Sequence, residues 1–177
     1  MPQLNDTVAK VHQARASAYR TFKQKWEQMQ ENSDFIRLLQ YSQKQLNTMD
    51  KQKRVPYVLD FLNSAMNTFQ GIQRDRRTEI FYYGVEPGDE VKCEVLNALK
   101  DHILQTNNFI YKESDVFQDG LIQKVGAVEF EWSREKNKNG TLNILVIPPR
   151  QLMWDLNANE FDKSDCTWMS RHRLFGK

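Results

Sequence analysis

Apolar residues recur at helical spacing through the first part of the chain. Leu4, Val8, Val11, Ala18, Phe22, Trp26 and Met29 stand three, four or seven residues apart, separated by Lys, Gln and Arg. This spacing predicts one long amphipathic helix with a single apolar stripe, capped at its start by Asn5 or Asp6. Ser33 or Asp34 offers a second N-cap, with Phe35, Leu38, Leu39 and Leu46 beginning another short helix. Met49 to Arg54 is polar and basic, a linker by composition, and Val55-Pro56 sets an extended turn after it.

The next stretch changes period midway. Leu59, Leu62, Ala65 or Met66, Phe69 and Ile72 form one stripe, with Asn63, Asn67 and Gln70 beside it, which predicts a buried helix. Gly71 interrupts the stripe, and Arg74, Arg76 and Arg77 crowd the helix end, where cations suit the negative pole of the dipole. The period then becomes two: Thr78, Ile80 and Tyr82 alternate with Glu79, Phe81 and Tyr83, which predicts a strand.

Beyond a turn punctuated by Gly84, Pro87 and Gly88, Asp89 caps a predicted helix bearing Val91, Val95, Leu99 and Ile103, with Leu96 widening the face. Asn107 or Asn108 marks a break. A further helix carries Phe109, Val116, Phe117, Leu121 and Val125, with Gly126 read as its left-handed C-cap. Val128, Phe130 and Trp132 alternate with Ala127, Glu129 and Glu131 as a half-buried strand. The turn 136–140 is read with positive φ at both Asn139 and Gly140, and Leu142, Ile144 and Val146 return. Pro148-Pro149 ends that strand, because proline donates no ladder hydrogen bond. The expected fold is α+β: long amino-terminal helices, then helices packed on a small, mostly antiparallel sheet.

Charge adds a division that periodicity does not show. The 177 residues carry a formal net charge of only +2. Residues 1–54, however, hold ten Lys and Arg against five Asp and Glu, while 55–133 hold seven against thirteen. A basic helical arm and linker, 1–54, is therefore expected ahead of an α+β domain, 55–177. Cys93 and Cys166 have neither CxxC spacing nor a nearby histidine, which argues for a reduced chain without a disulfide framework. No apolar run approaches the roughly 18 residues of a membrane span, and Met1–Lys10 has no signal-peptide core.

Catalytic chemistry finds little support. His12, His102 and His172 are scattered without a Ser or Cys nucleophile at a telling spacing, and neither GxxxxGK[ST] nor GxGxxG occurs. Asp155, Asn157 and Asn159 alternate like the first half of a calcium loop. The sixth and twelfth positions hold Glu160 and Cys166 instead of glycine and glutamate, so an Asx-rich turn is expected and no metal or cofactor. Asp115 and Asp119 share a helix face, an arrangement commoner in salt bridging or capping than in acid–base work. Arg74, Arg76 and Arg77 have three readings. They stabilise the helix end and pair with the chain's own acids, they reach carboxylates on a neighbouring copy, or they bind phosphate.

Several of these stretches, in order, resemble the portal proteins of short-tailed bacteriophages. Asn63 and Asn67 precede Gly71-Ile72-Gln73-Arg74-Asp75-Arg76-Arg77-Thr78-Glu79-Ile80, similar to a family helix followed by G-I-x-R-x-x-R-x-E-I. Arg54 and Pro56 stand before it. Asp115-x₃-Asp119-Gly120 resembles the helix ahead of the family's hairpin, although Gly126 stands where a glycine pair is usual. Pro148, Trp154-Asp155, Asp162-x-Ser164-Asp165 and Trp168 follow in the family's order, with Leu156 in place of a proline. Near Phe35 the family's F–x₂–G–x–Q–W turn has lost its glycine, and the matches span roughly residues 54–171.

The resemblance implies the amino-terminal wing region of a portal, with stem, tunnel loop and clip beyond Lys177. It implies a structural, non-enzymatic subunit of a ring at a capsid vertex, twelve copies in the full-length protein, through which genomic DNA enters and leaves. The implied partners are other copies, terminase, capsid or scaffold and tail adaptor proteins, in the virion and, during assembly, the host cytoplasm, with no membrane. On that reading Arg74, Arg76, Arg77, Asp119, Trp154, Asp155 and Asp165 are structural or interface residues, and these 177 residues alone form a monomer or weak oligomer. The alternatives are a nucleic-acid-binding module using the basic arm and the three arginines, or a helical oligomerisation scaffold.

Overall fold

The computed structural model describes residues 2–135 and 137–172, apart from the side chains of 2–7. Expectations resting on Leu4, Lys136 and Arg173–Lys177, and on capping by the Asn5 or Asp6 side chain, therefore lie outside the described residues. The helices are α1 (Pro2–Ile36), α2 (Gln43–Lys51), α3 (Phe61–Asp75), α4 (Glu90–Thr106) and α5 (Phe109–Gln123). The strands are β1 (Ala127–Ser133), β2 (Thr141–Ile147), β3 (Leu152–Trp154) and β4 (Met169–Arg171). They form two separate antiparallel pairs, β1–β2 and β3–β4, so the fold is α+β. The chain divides into two compact units: Met1–Asp60 with Pro148–Lys177, and Phe61–Ile147.

In the first unit α1 is a single helix past the point where two were expected. Ser33 and Asp34 do not cap a new helix. The Ser33 hydroxyl donates back to Met29 O at 2.8 Å, and Gln30 Nε2 donates to Asp34 Oδ1 at 2.7 Å, so both side chains stitch the turn they were expected to break. The helix stops where Leu38 takes a left-handed φ of 63°. Ser42 is the true second cap: Gln45 N donates to its Oγ while Ser42 N donates to Gln45 Oε1, a capping box. The expected linker from Met49 is consequently helical as far as Lys51.

The stripe of α1 is covered in its middle. Ala18 and Phe22 are buried with Met153 of β3, and Trp26, Trp154 and Trp168 pack around them. Trp154 meets the Phe22 ring edge-on at 4.8 Å, a geometry that suits the aromatic quadrupole. Val8 and Val11, at the start of the same stripe, remain exposed.

The second unit departs further from expectation. Helix α3 was predicted to be buried, yet Leu62, Phe69 and Ile72 are half exposed. The side chains at least partly covered are Asn63, Met66, Gln70 and Gln73. Ser114 of α5 donates to Gln73 Oε1 at 3.3 Å, which shows the polar flank turned inward. On α4, Val91 and Val95 are also open to solvent.

No strand forms over 78–83, because no second strand lies beside it within the described residues. Helix α5 ends at Gln123 with Lys124, not Gly126, in the left-handed conformation at φ 64°. Gly126 is needed for a different reason: a Cβ there would lie 2.4 Å from Val116 O. Among the described hairpin residues only Gly140 has positive φ, and Asn139 does not. The loop is an Asx turn instead, with Asn139 N donating to Asn137 Oδ1 at 3.0 Å. Phe130 and Trp132, expected to be half buried, are mostly exposed.

Candidate functional site

Arg74, Arg76 and Arg77 close α3. Arg74 and Arg76 are exposed and Arg77 half-buried, and among the described residues none lies within ion-pair distance of a carboxylate. The cluster is therefore cationic surface that no carboxylate among the described residues pairs with.

The segment that follows is held along one edge only. Asn97 of α4 donates from Nδ2 to Tyr82 O at 3.1 Å and accepts from Tyr82 N at 3.0 Å, as a neighbouring strand would. Lys100 donates to Ile80 O at 2.7 Å while its ammonium sits 4.7 Å over the Phe81 ring. Ile80, Phe81, Tyr82 and Tyr83 are all exposed. Asparagine inside a helix is unfavourable without a side-chain task, and its position at 97 was the sequence signal for this contact.

The outer edge of β2 is closed in a similar way. The buried Asn107 donates to Leu142 O at 2.8 Å, accepts from Ile144 N at 2.8 Å, and donates to Ile103 O at 2.9 Å. Lys112 donates to Ile144 O. Sequence reasoning saw Asn107 only as a helix break.

Asp119 lies half-buried on α5 and accepts from Gln123 Nε2 at 3.2 Å. Burial, then the neighbouring Asp115 charge, hold its carboxyl above the usual carboxylate range. A raised carboxyl pKa means that the ionised form opposes folding: the penalty is present at neutral pH and disappears as pH falls through the folded value. Asp119→Asn should therefore stabilise the protein at pH 7, by about 0.2–0.5 kcal/mol for the repulsion alone, with the gain vanishing in acid. Thermal melts at neutral and acid pH check this; equal melting temperatures at neutral pH would refute it.

The loop after β3 is built by three aspartates. Asp155 accepts from Asn157 N at 3.0 Å and from the Thr167 hydroxyl, and its own N–H donates to Trp168 O at 3.1 Å. Asp162 accepts from Ser164 N and its hydroxyl, and Asp165 accepts from Asn159 N at 2.6 Å and Glu160 N at 3.2 Å. These hydrogen bonds hold all three carboxyls below their ordinary range. The carboxylates thus organise loop backbone, and among the described residues no group of three metal-ligating side chains converges.

Trp154 sits over Phe22, between the loop and α1. Lys25 of α1 lies 5.4 Å above its ring. Nearby, Arg15 donates to His172 Nδ1 at 3.2 Å, and burial, then the Arg15 charge, depress the imidazole pKa. A guanidinium can only donate, so this contact uses Nδ1 as acceptor and, in the neutral ring, leaves the proton on Nε2. An open depression along α2, lined in part by Lys44, Thr48, Gln52 and Arg54, presents no carboxylate, histidine or cysteine.

The site residues thus fall in two places. Arg74, Arg76, Arg77 and Asp119 belong to the second unit, Trp154, Asp155 and Asp165 to the first. Residues 13–175 match the family model described as Phage P22-like portal protein. No curated protein matches the chain.

Proposed function

The chain belongs to the phage P22-like portal protein family, a family of structural proteins of the capsid vertex that serve genome packaging and ejection. We propose that it is a wing-like part of a portal subunit, assembling with other copies around a DNA channel and carrying no catalytic activity of its own. One observation supports this reading beyond the family itself. The amphipathic helices α3 and α4 keep their apolar residues in solvent, including Phe61, Leu62, Phe69, Val91 and Val95. Exposed apolar faces of this kind mark association surfaces. Arg74, Arg76 and Arg77, which lack carboxylate partners among the described residues, are suited to acids on an adjacent copy. Asp155 and Asp165 shape the loop that follows Trp154, and Trp154 fixes that loop to α1. No described helix is long and apolar enough to cross a membrane. On this reading terminase, capsid or scaffold and tail adaptor proteins are the partners of the assembled ring.

Light scattering over a concentration and salt series, with and without duplex DNA, tests the proposal. Weak concentration-dependent association without DNA is expected. A strictly monomeric chain that binds duplex DNA with a steep salt dependence would replace this reading with the nucleic-acid module.

A further inference from the structure

The second unit contains two unfinished strand edges. In the β1–β2 ladder, Phe130 pairs with Ile144 and Trp132 with Leu142. The polar groups of Leu142 and Ile144 point away from β1, since Asn107 and Lys112 take them. By antiparallel alternation, the N–H and C=O groups of Val128, Phe130 and Trp132 point away from β2. Among the described residues nothing bonds to them. The Phe130 and Trp132 side chains beside this edge are 63% and 61% exposed.

The other edge belongs to Glu79–Tyr83. Asn97 takes both groups of Tyr82 and Lys100 takes the carbonyl of Ile80, so in an extended segment the groups of Glu79, Phe81 and Tyr83 face the opposite way. They too have no partner among the described residues. Each segment is therefore sealed on one side by an asparagine amide and a lysine, and open on the other. Proteins normally blunt both sides of an edge, because an open one templates pairing with another chain.

Resting on the ring reading, we infer that the open edge of β1 on one copy pairs with the open edge of Glu79–Tyr83 on the next. The occupant is a second copy of this chain. The two edges differ, as the head-to-tail contacts of a ring require. Exposed Glu131 on the first edge offers a carboxylate to Arg74 and Arg76, which precede the second edge and lack a carboxylate partner among the described residues. Strand addition of this kind draws affinity from main-chain hydrogen bonds, and it would cover Phe130, Trp132 and Tyr83 at once.

Proline at an outward-facing position removes one edge donor and leaves the inner ladder intact. Phe130→Pro and Phe81→Pro should each abolish the self-association of the full chain in light scattering, with circular dichroism unchanged. An equimolar mixture of the two should form a dimer of twice the monomer mass and nothing larger, since each variant keeps the edge that the other lacks. If either proline disturbs folding, Trp132→Lys and Tyr83→Lys give the same pairing test. Association that persists in both single variants overturns the edge pairing while leaving the ring reading standing. Loss in Phe130→Pro with no effect of Phe81→Pro overturns it in favour of β1 meeting β1. A wild-type chain that stays monomeric at its highest soluble concentration overturns it as well, while the ring reading, which allows a monomer for these 177 residues, is then decided by the duplex DNA titration.

Discussion

Phe22→Ala should destabilise the protein by about 3–5 kcal/mol, the range for deleting a fully buried aromatic ring. Phe22 has no exposed surface, and it is the side chain on which the first unit closes: Ala18 on the same helix, Met153 beneath, Trp154 edge-on at 4.8 Å and Trp26 at 6.1 Å. Removing the ring leaves a cavity flanked by two tryptophans that a short β3–β4 pair cannot collapse around. A domain holds only about 5–15 kcal/mol in total, so such a loss consumes much of the margin. Urea titration followed by tryptophan fluorescence measures it, and the near-ultraviolet dichroism of Trp26 and Trp154 should weaken before the far-ultraviolet signal does. A loss below about 1 kcal/mol would mean that α1 is not anchored through this ring.

How far this core could be read in advance depends on what periodicity measures. The α1 stripe was legible, and so was its apolar middle, because Ala18, Phe22 and Met29 are covered by the chain's own residues. The α3 stripe was equally legible, but its burial was not. Spacing says that one face of a helix is apolar and is silent on what covers it. In α3 the same pattern leaves Leu62 and Phe69 half in solvent.

The strand expected at 78–83 failed for a related reason. Alternation records a local preference, whereas a strand exists only when something takes its hydrogen bonds. Here Asn97 and Lys100 take three of them, the N–H and C=O of Tyr82 and the C=O of Ile80, from a helix further along the chain. Ser33 misled in the opposite direction, since serine bonds backward within a helix as readily as it caps one. The aspartate loop lay between these cases. The contact of Asp155 to Asn157 is a local Asx turn visible in the spacing. The reach of Asp165 back to Asn159 and Glu160 depends on where the loop returns.

Asn107→Ala should cost about 2–4 kcal/mol and lower solubility as well. The side chain is buried and satisfies Leu142 O, Ile144 N and Ile103 O together. Alanine supplies none of these bonds. Ile144 is only 1% exposed, so its N–H loses its partner with little access to water, and a buried donor left unmade costs about 1–3 kcal/mol. The carbonyl of Leu142 adds a further share. The second consequence concerns assembly. With Asn107 in place the hairpin has one closed side and one open side, so association through it is directional. Without it β2 becomes a second open edge, and two open edges on one hairpin permit unlimited sheet extension. Urea unfolding should show the stability loss, and turbidity at fixed concentration should rise faster in the variant than in wild type. Asn107→Asp keeps an acceptor for Ile144 N but sets a carboxylate oxygen against the carbonyls of Leu142 and Ile103, so at neutral pH it should cost at least as much stability as alanine and recover part of that cost in acid. A variant with unchanged urea midpoint and unchanged turbidity would show that water replaces the amide, and that Asn107 does not close the edge of β2.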